Sequence, residues 1–273
     1  MKPGALAALV LCAAVAPAAA GESIPLFDAH VHYSSDAWEA YPEKEVLAIL
    51  QRAGIRRALV SSTPDDGTLR LLAAAPALVV PELRPYRTSA DMGTWHSDPT
   101  ILPYIEERLR RGNYRGIGEF HLSADKVSSP VVRRVVELAV ERGIPLHAHS
   151  DDRAVAAMFA LNPEVKILWA HAGMSTSAET IGAMLDRYPN LWAELSYRWG
   201  EVAPGGSLSP EWRILLLRHP DRFLFGTDTW APERWPQVPA IAAAARTWLR
   251  DLPPEVAAAV AFRNAERLYG PGP

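Results

Sequence analysis

The stretch from Pro130 to Ser150, PVVRRVVELAVERGIPLHAHS, holds one repeat unit of the fold. Pro130 suits a first helical turn, where a missing N–H costs nothing. Valines and leucines then recur at helical spacing as far as Arg142. Gly143 stands where a helix stops, since glycine enters left-handed backbone cheaply. Pro145 to Ser150 is short and apolar and reads as a strand, and His147 and His149 close it two residues apart. Side chains alternate faces along a strand, so both imidazoles point to one side.

The same pattern extends in both directions. Strand-like runs fall at Leu26 to Tyr33, Arg57 to Ser62, Leu78 to Pro85, Tyr114 to His121, Pro145 to Ser150, Lys166 to His171, Leu191 to Tyr197 and Phe223 to Asp228. Helical spacing separates them at Lys44 to Ala53, Thr68 to Ala75, Thr100 to Arg111, Pro130 to Arg142, Asp151 to Leu161, Ser177 to Tyr188, Pro210 to Leu217 and Val238 to Leu249. Gly54 and Gly112 repeat the helix-stop role of Gly143. Alternating strands and helices imply a parallel sheet covered by helices, and eight units in about 250 residues predict a (β/α)8 TIM barrel. Pro85 to Pro99 and Trp199 to Ser209 read as long loops, and Pro254 to Tyr269 as an extra helix packed outside the barrel.

Residues 1–20 read as a signal peptide: Lys2 precedes an apolar run from Ala5 to Val15, and Pro17 leads into Ala18-Ala19-Ala20. The apolar run is short for a membrane span and Pro17 interrupts it, so export to the periplasm or medium is the expectation, with one domain over 21–273. The only cysteine, Cys12, would leave with that segment, which excludes disulfides and thiol chemistry in the mature chain. The net charge is −3 with no basic run, so nucleic acid is not an expected partner, nor is a membrane after cleavage. A small-molecule substrate is expected, and a homodimer is compatible with a barrel enzyme.

Barrel active sites form at the carboxyl ends of strands. His30 and His32 end the first strand, Glu119 the fourth, His147 and His149 the fifth, His171 the sixth and Asp228 the eighth. Each has a bland reading taken singly: a surface histidine, a structural salt bridge for Glu119, a helix cap for Asp228. Their recurrence at five ends of otherwise apolar strands points instead to a metal centre, because a carboxylate in a barrel mouth is costly unless paired or bound to a cation. Histidines and carboxylates without cysteine suit zinc, with manganese, iron or nickel as alternatives.

The series Asp28-Ala29-His30-Val31-His32, Gly118-Glu119, His147, His171 and Gly226-Thr227-Asp228 resembles the amidohydrolase superfamily in its amidohydrolase-related branch. The tail Asn264 to Tyr269 is similar to the close of many members, and the Gly118-Glu119 strand is similar to TatD-type deoxyribonucleases. The resemblance implies one or two divalent metal ions: His30, His32 and Asp228 on the first, His147 and His171 on the second, Glu119 bridging. In single-metal members His147 joins the first site and His171 polarises the substrate. It also implies that Asp228 exchanges protons with the attacking water.

For the substrate, Arg84, Arg87 and His149 are candidate contacts, a guanidinium fork being suited to a carboxylate or phosphate. Trp95 and His96 are placed to form a lid, and Trp199 and Trp230 to reach the pocket. Glu194, Tyr197 and Arg198 mark the seventh strand and its exit. The leading expectation is hydrolysis of a small ester, lactone, amide or phosphoester. The alternatives are a metal-dependent decarboxylase of a small acid, a non-catalytic binding protein, and a TatD-like nuclease that rests on Glu119 alone.

Overall fold

A computed structural model describes residues 23–270, so the expected signal peptide lies outside the described residues. Eight parallel strands run in chain order: β1 Leu26–Val31, β2 Ile55–Val60, β3 Val79–Pro81, β4 Ile117–His121, β5 Leu146–His149, β6 Ile167–Trp169, β7 Leu191–Glu194 and β8 Phe223–Leu224. They pair as β1-β2-β3 and β4-β5-β6-β7-β8. Backbone hydrogen bonds cross both seams. Leu83 donates to Gly116 (3.0 Å) and Gly118 to Leu83 (2.9 Å) on one side; Ala29 donates to Phe225 (2.8 Å) and Asp228 to His30 (2.7 Å) on the other. The expected (β/α)8 barrel is therefore the fold. Its strands are apolar on both faces because helices cover one face and the barrel interior the other.

The helices are α1 Glu43–Arg52, α2 Asp66–Ala74, α3 Ile101–Arg111, α4 Pro130–Arg142, α5 Asp152–Leu161, α6 Ala178–Arg187, α7 Trp199–Val202, α8 Pro210–Arg218, α9 Val238–Leu249, α10 Pro254–Ala258 and α11 Asn264–Tyr269. Ser129, Asp151, Ser177 and Ser209 cap α4, α5, α6 and α8 by accepting from the third residue onward, which satisfies an otherwise orphaned helical N–H. Gly143 ends α4 at φ 66°, as its position predicts. Gly112 does not follow the pattern: its backbone is extended (φ −108°), and a side chain there would strike the ring of Tyr114.

Two further expectations change. The segment Pro254–Tyr269 is broken by a π turn at Ala259–Arg263, and its end packs on strand side chains instead of outer helices. Ala265 and Tyr269 gather Phe27, Leu59, Val80, Leu168 and Leu224 from five strands into a separate apolar cluster. Asn264 Nδ2 donates to the Phe223 carbonyl (2.8 Å), tying this segment to β8. The loop 85–99 carries two short 3-10 turns, and its Trp95 is wholly buried, donating to the His121 carbonyl (3.0 Å). Trp95 is thus core and not lid. No helix among the described residues is long and apolar enough to cross a membrane.

Candidate metal centre

Asp28 sets the register at the mouth. Its carboxylate accepts from the Thr227 N–H (2.9 Å) and hydroxyl (2.6 Å) and from the His30 N–H (3.2 Å). That latch brings Asp228, next in the chain, opposite His30 and His32. Burial pushes the Asp28 carboxyl up to about 7, against the pull of these hydrogen bonds.

His30 and His32 meet through their Nε2 atoms, 3.0 Å apart. The proton positions follow from the partners on the far side of each ring. His32 Nδ1 faces the Ser61 carbonyl, and His30 Nδ1 faces Glu194 Oε1 at 3.0 Å. Both partners can only accept, so each Nδ1 carries a proton and, in the neutral ring, each Nε2 carries a lone pair. Two lone pairs then point at one another and at two carboxylates. Glu119 Oε2 lies 3.3 Å from His32 Nε2 and 3.7 Å from His30 Nε2; Asp228 Oδ1 lies 3.5 Å from both. Asp228 Oδ1 is also buried with no hydrogen-bond partner among the described residues.

This arrangement fits a cation. A tetrahedral ion with bonds of about 2.0–2.1 Å has ligand-to-ligand edges of roughly 3.3 Å, which falls among these distances. Ligating histidines also direct their other N–H to a carboxylate or carbonyl, as Glu194 and Ser61 receive it here. Without a cation, the cluster draws protons instead. Burial works against charging His30, yet Asp228, Glu194 and Glu119 hold its pKa well above the usual value. Burial and the charge of Arg84 lower that of His32. Burial opposes ionisation of Glu119, but His30 and the hydrogen bonds from His149 and His171 hold it well below the carboxylate range.

A second group adjoins the first through Glu119. Glu119 Oε1 lies 2.8 Å from His149 Nδ1 and 3.6 Å from His171 Nε2, which is 3.8 Å from Asp228 Oδ2. His171 Nδ1 lies 2.8 Å from the Ser196 hydroxyl and 3.3 Å from its carbonyl. The carbonyl accepts only, so a protonated Nδ1 leaves the Nε2 lone pair inward. Arg84 holds Glu119 in place, with Nη2 2.9 Å from Oε2 and Nε 2.9 Å from its backbone oxygen.

His147 does not stand with this group. Its Nδ1 bonds Glu82 Oε2 (3.0 Å), and its buried Nε2 faces toward His30 and Glu194. The register explains this: His147 pairs with Gly118 and His149 with His121, with a register shift at Glu119. It is His149, kept in the sequence reading as a substrate contact, that meets Glu119. Arg87 is also elsewhere engaged, its guanidinium bonding Asp91 (2.9 Å) and Asp98 (2.6 Å). The sequence reading left Glu82 unnamed and gave Glu194 no role in the centre. The available signal was a lone carboxylate in each apolar strand, Val79-Val80-Pro81-Glu82 and Leu191-Trp192-Ala193-Glu194.

Backbone strain marks the same place. Among the described residues, non-glycine residues at positive φ are His171, Ala172, Met174, Tyr197 and Asp228, all following β6, β7 or β8. Such conformations cost about 1–3 kcal/mol each and persist where surrounding structure fixes them. Arg198 supplies part of that fixing: wholly buried, it donates to the carbonyls of Ala172, Met174 and Thr176.

A family model described as amidohydrolase matches residues 27–270. Among solved structures, an amidohydrolase 2 from Bifidobacterium longum subsp. infantis superimposes with a TM-score of 0.56 at 15% identity, over 90% of this chain and 99% of the other. An amidohydrolase from Burkholderia multivorans gives 0.60 at 15%, over 91% and 100%. A TatD homolog from Escherichia coli gives 0.60 at 16%, over 89% and 97%. At these identities the likeness is one of fold. No curated protein matches in sequence.

Proposed function

The chain belongs to the amidohydrolase family, and from that premise we propose that this hydrolase cleaves a small ester, lactone or amide with water activated at a divalent metal centre. The observation that carries the reading is the meeting of two imidazole lone pairs and two carboxylates at His30, His32, Glu119 and Asp228. The donor set favours zinc, with manganese, iron or nickel as alternatives. His149, His171 and the second oxygen of Glu119 would hold a second ion. When bound, such an ion lowers the pKa of water toward about 7 and polarises a carbonyl oxygen.

The chain's own groups supply the rest. Asp228 Oδ1 faces the ion site, and its other oxygen, Oδ2, lies toward His171 (3.8 Å), where it would take the proton of the attacking water. As the new C–O bond forms and the acyl–oxygen or acyl–nitrogen bond breaks, Asp228 returns that proton to the leaving group. Glu194 keeps His30 in one tautomer and, through the His171 N–H, anchors the strained turn after β6. Arg84 keeps Glu119 aimed at both groups.

The decarboxylase alternative calls for an arginine to orient an acidic substrate; Arg84 and Arg87 are already paired with carboxylates, which weakens it. The test is metal content of the purified chain and turnover on an ester, lactone and amide panel. Zinc-dependent hydrolysis, lost by at least about a hundredfold in Asp228→Asn at saturating zinc, is expected. Absence of bound metal together with no activation by zinc or manganese overturns the reading.

A further inference from the structure

Four large apolar side chains remain in solvent around the metal centre: Met92 (40% exposed), Met174 (44%), Tyr197 (38%) and Trp230 (59%). Among the described residues only Ile214 is a comparable exposed side chain elsewhere. Met92 and Met174 line a cavity of about 540 Å³ that opens beside His149. Met92 also lines, with Arg84 and Trp230, a second cavity of about 430 Å³. The Tyr197 ring lies 5.8 Å from that of His171. All four therefore border the reacting centre.

Two of them are held in place. Trp230 Nε1 donates to the Tyr197 hydroxyl (2.6 Å), and the Arg234 guanidinium lies 4.0 Å over the Tyr197 ring. Arg234 is itself fixed by a bond to the Thr227 carbonyl (2.6 Å). Exposed aromatic surface fixed at a cleft mouth has no role in the core and is available to a ligand.

The charges of the cleft point the same way. The cations that line the two cavities already have carboxylate partners: Arg84 with Glu119 (2.9 Å), Arg87 with Asp91 and Asp98, and Lys126 with Asp125 (3.0 Å). Arg234, which lines neither cavity, has no carboxylate partner among the described residues and is turned to the Thr227 carbonyl and the Tyr197 ring. Asp36, exposed in the second cavity, forms no ion pair among the described residues. Inside either cavity, an added carboxylate or phosphate on the substrate would meet paired cations and, in the second, the unpaired Asp36.

We propose that the substrate is an uncharged ester or lactone bearing an aromatic ring, received by Trp230 and Tyr197 and the thioethers of Met92 and Met174. This rests on the hydrolytic reading above. Aromatic rings pack on Trp and Tyr faces and against thioether sulfur with a preference over aliphatic groups of equal size.

Three lactones with one scissile bond test it on the zinc-loaded protein: γ-butyrolactone, its γ-phenyl derivative and its γ-carboxy derivative. The phenyl compound is expected to exceed the parent by roughly tenfold in kcat/KM, and the carboxy compound to fall below it. In Trp230→Ala the phenyl-to-parent ratio is expected to drop toward one, through KM and not kcat. A measurement without turnover runs alongside: calorimetric dissociation constants of benzohydroxamate and acetohydroxamate, both metal chelators. Benzohydroxamate is expected to bind about tenfold tighter, with the ratio lost in Trp230→Ala. If no lactone is hydrolysed, lactone hydrolysis falls as this protein's reaction while the hydroxamate ratio still decides the ring site. Equal hydroxamate affinities, or preference for the carboxy lactone, overturn the proposal.

Discussion

Glu194→Gln is expected to weaken zinc binding by about 10–100-fold. The carboxylate of Glu194 is wholly buried and surrounded by donors. Oε1 receives His30 Nδ1 (3.0 Å), the His171 N–H and the Ser196 hydroxyl (3.0 Å), while Oε2 receives the Ser196 N–H (2.7 Å). Glutamine has one acceptor oxygen, so its NH₂ must face an N–H on one side or the other. If it faces His30 and His171, the His30 proton shifts to Nε2 and the lone pair needed by the ion is lost. If it faces Ser196, the loop after β7 loses its anchor, and with it the hydroxyl that positions His171. Either way His30 also loses a neighbouring negative charge that raises its basicity. A 10–100-fold change corresponds to about 1.4–2.7 kcal/mol, within the range for one charge-assisted hydrogen bond. Competition against a chromophoric chelator measures the zinc dissociation constant, and far-UV circular dichroism checks the fold. A folded variant whose constant lies within twofold of the parent would refute the tautomer-locking role. Ser196→Ala, which keeps the carboxylate, is expected to give a smaller loss in the same direction.

Replacing Arg198 with lysine removes the fork that spans three carbonyls; a loss of about 2–4 kcal/mol is expected in urea denaturation, with lower kcat because His171 sits in the turn it clamps. A change below about 0.5 kcal/mol would show that the strained turn stands unaided. Gly173 (φ 74°) has no room for a Cβ against the Trp169 ring and Thr176 hydroxyl, whereas Gly143 (φ 66°) faces open space. Gly173→Ala should therefore cost more than about 2 kcal/mol and Gly143→Ala only about 1; equal costs would contradict the packing. Asp65, which accepts from the Tyr114 hydroxyl, is pushed up to about 6 by burial. Its folded form holds the proton more tightly than the unfolded chain, so its contribution is present below about pH 4 and is lost as pH rises through about 6. At about 1.4 kcal/mol per pKa unit this amounts to about 3 kcal/mol. Urea midpoints from pH 4 to 7 should fall less in Asp65→Asn than in the parent, and parallel curves would be inconsistent with a buried, protonated Asp65.

Much of the barrel was legible because its signals are local. The α4 span Pro130–Arg142 follows from helical spacing bounded by proline and glycine, and the α9 span Val238–Leu249 from helical spacing alone. Strand ends read less well. Site side chains after β8 persist to Asp228, yet the regular strand ends at Leu224; Phe225 and Asp228 still bond to β1, while the Thr227 N–H goes to the Asp28 side chain. The C-terminal segment was misplaced for a related reason. Its apolar residues show that something must be covered, not that five strands supply the surface.

What the sequence alone determined is the alternation of strand and helix and the residue types at strand ends: His30, His32, Glu119, His149, His171 and Asp228 are there in any register. Tertiary structure decided which of them meet. His147 and His149 are equivalent by alternation, but pairing with β4 sets one against Glu82 and the other against Glu119. It also decided which imidazole nitrogen holds a proton, through Ser61, Glu194 and Ser196, and that Arg87 spends its charge on Asp91 and Asp98. The physical reason is that side-chain direction is a property of a few consecutive residues. Height in the barrel, proton position and ion pairing depend on how separate strands are staggered, and no single segment encodes that.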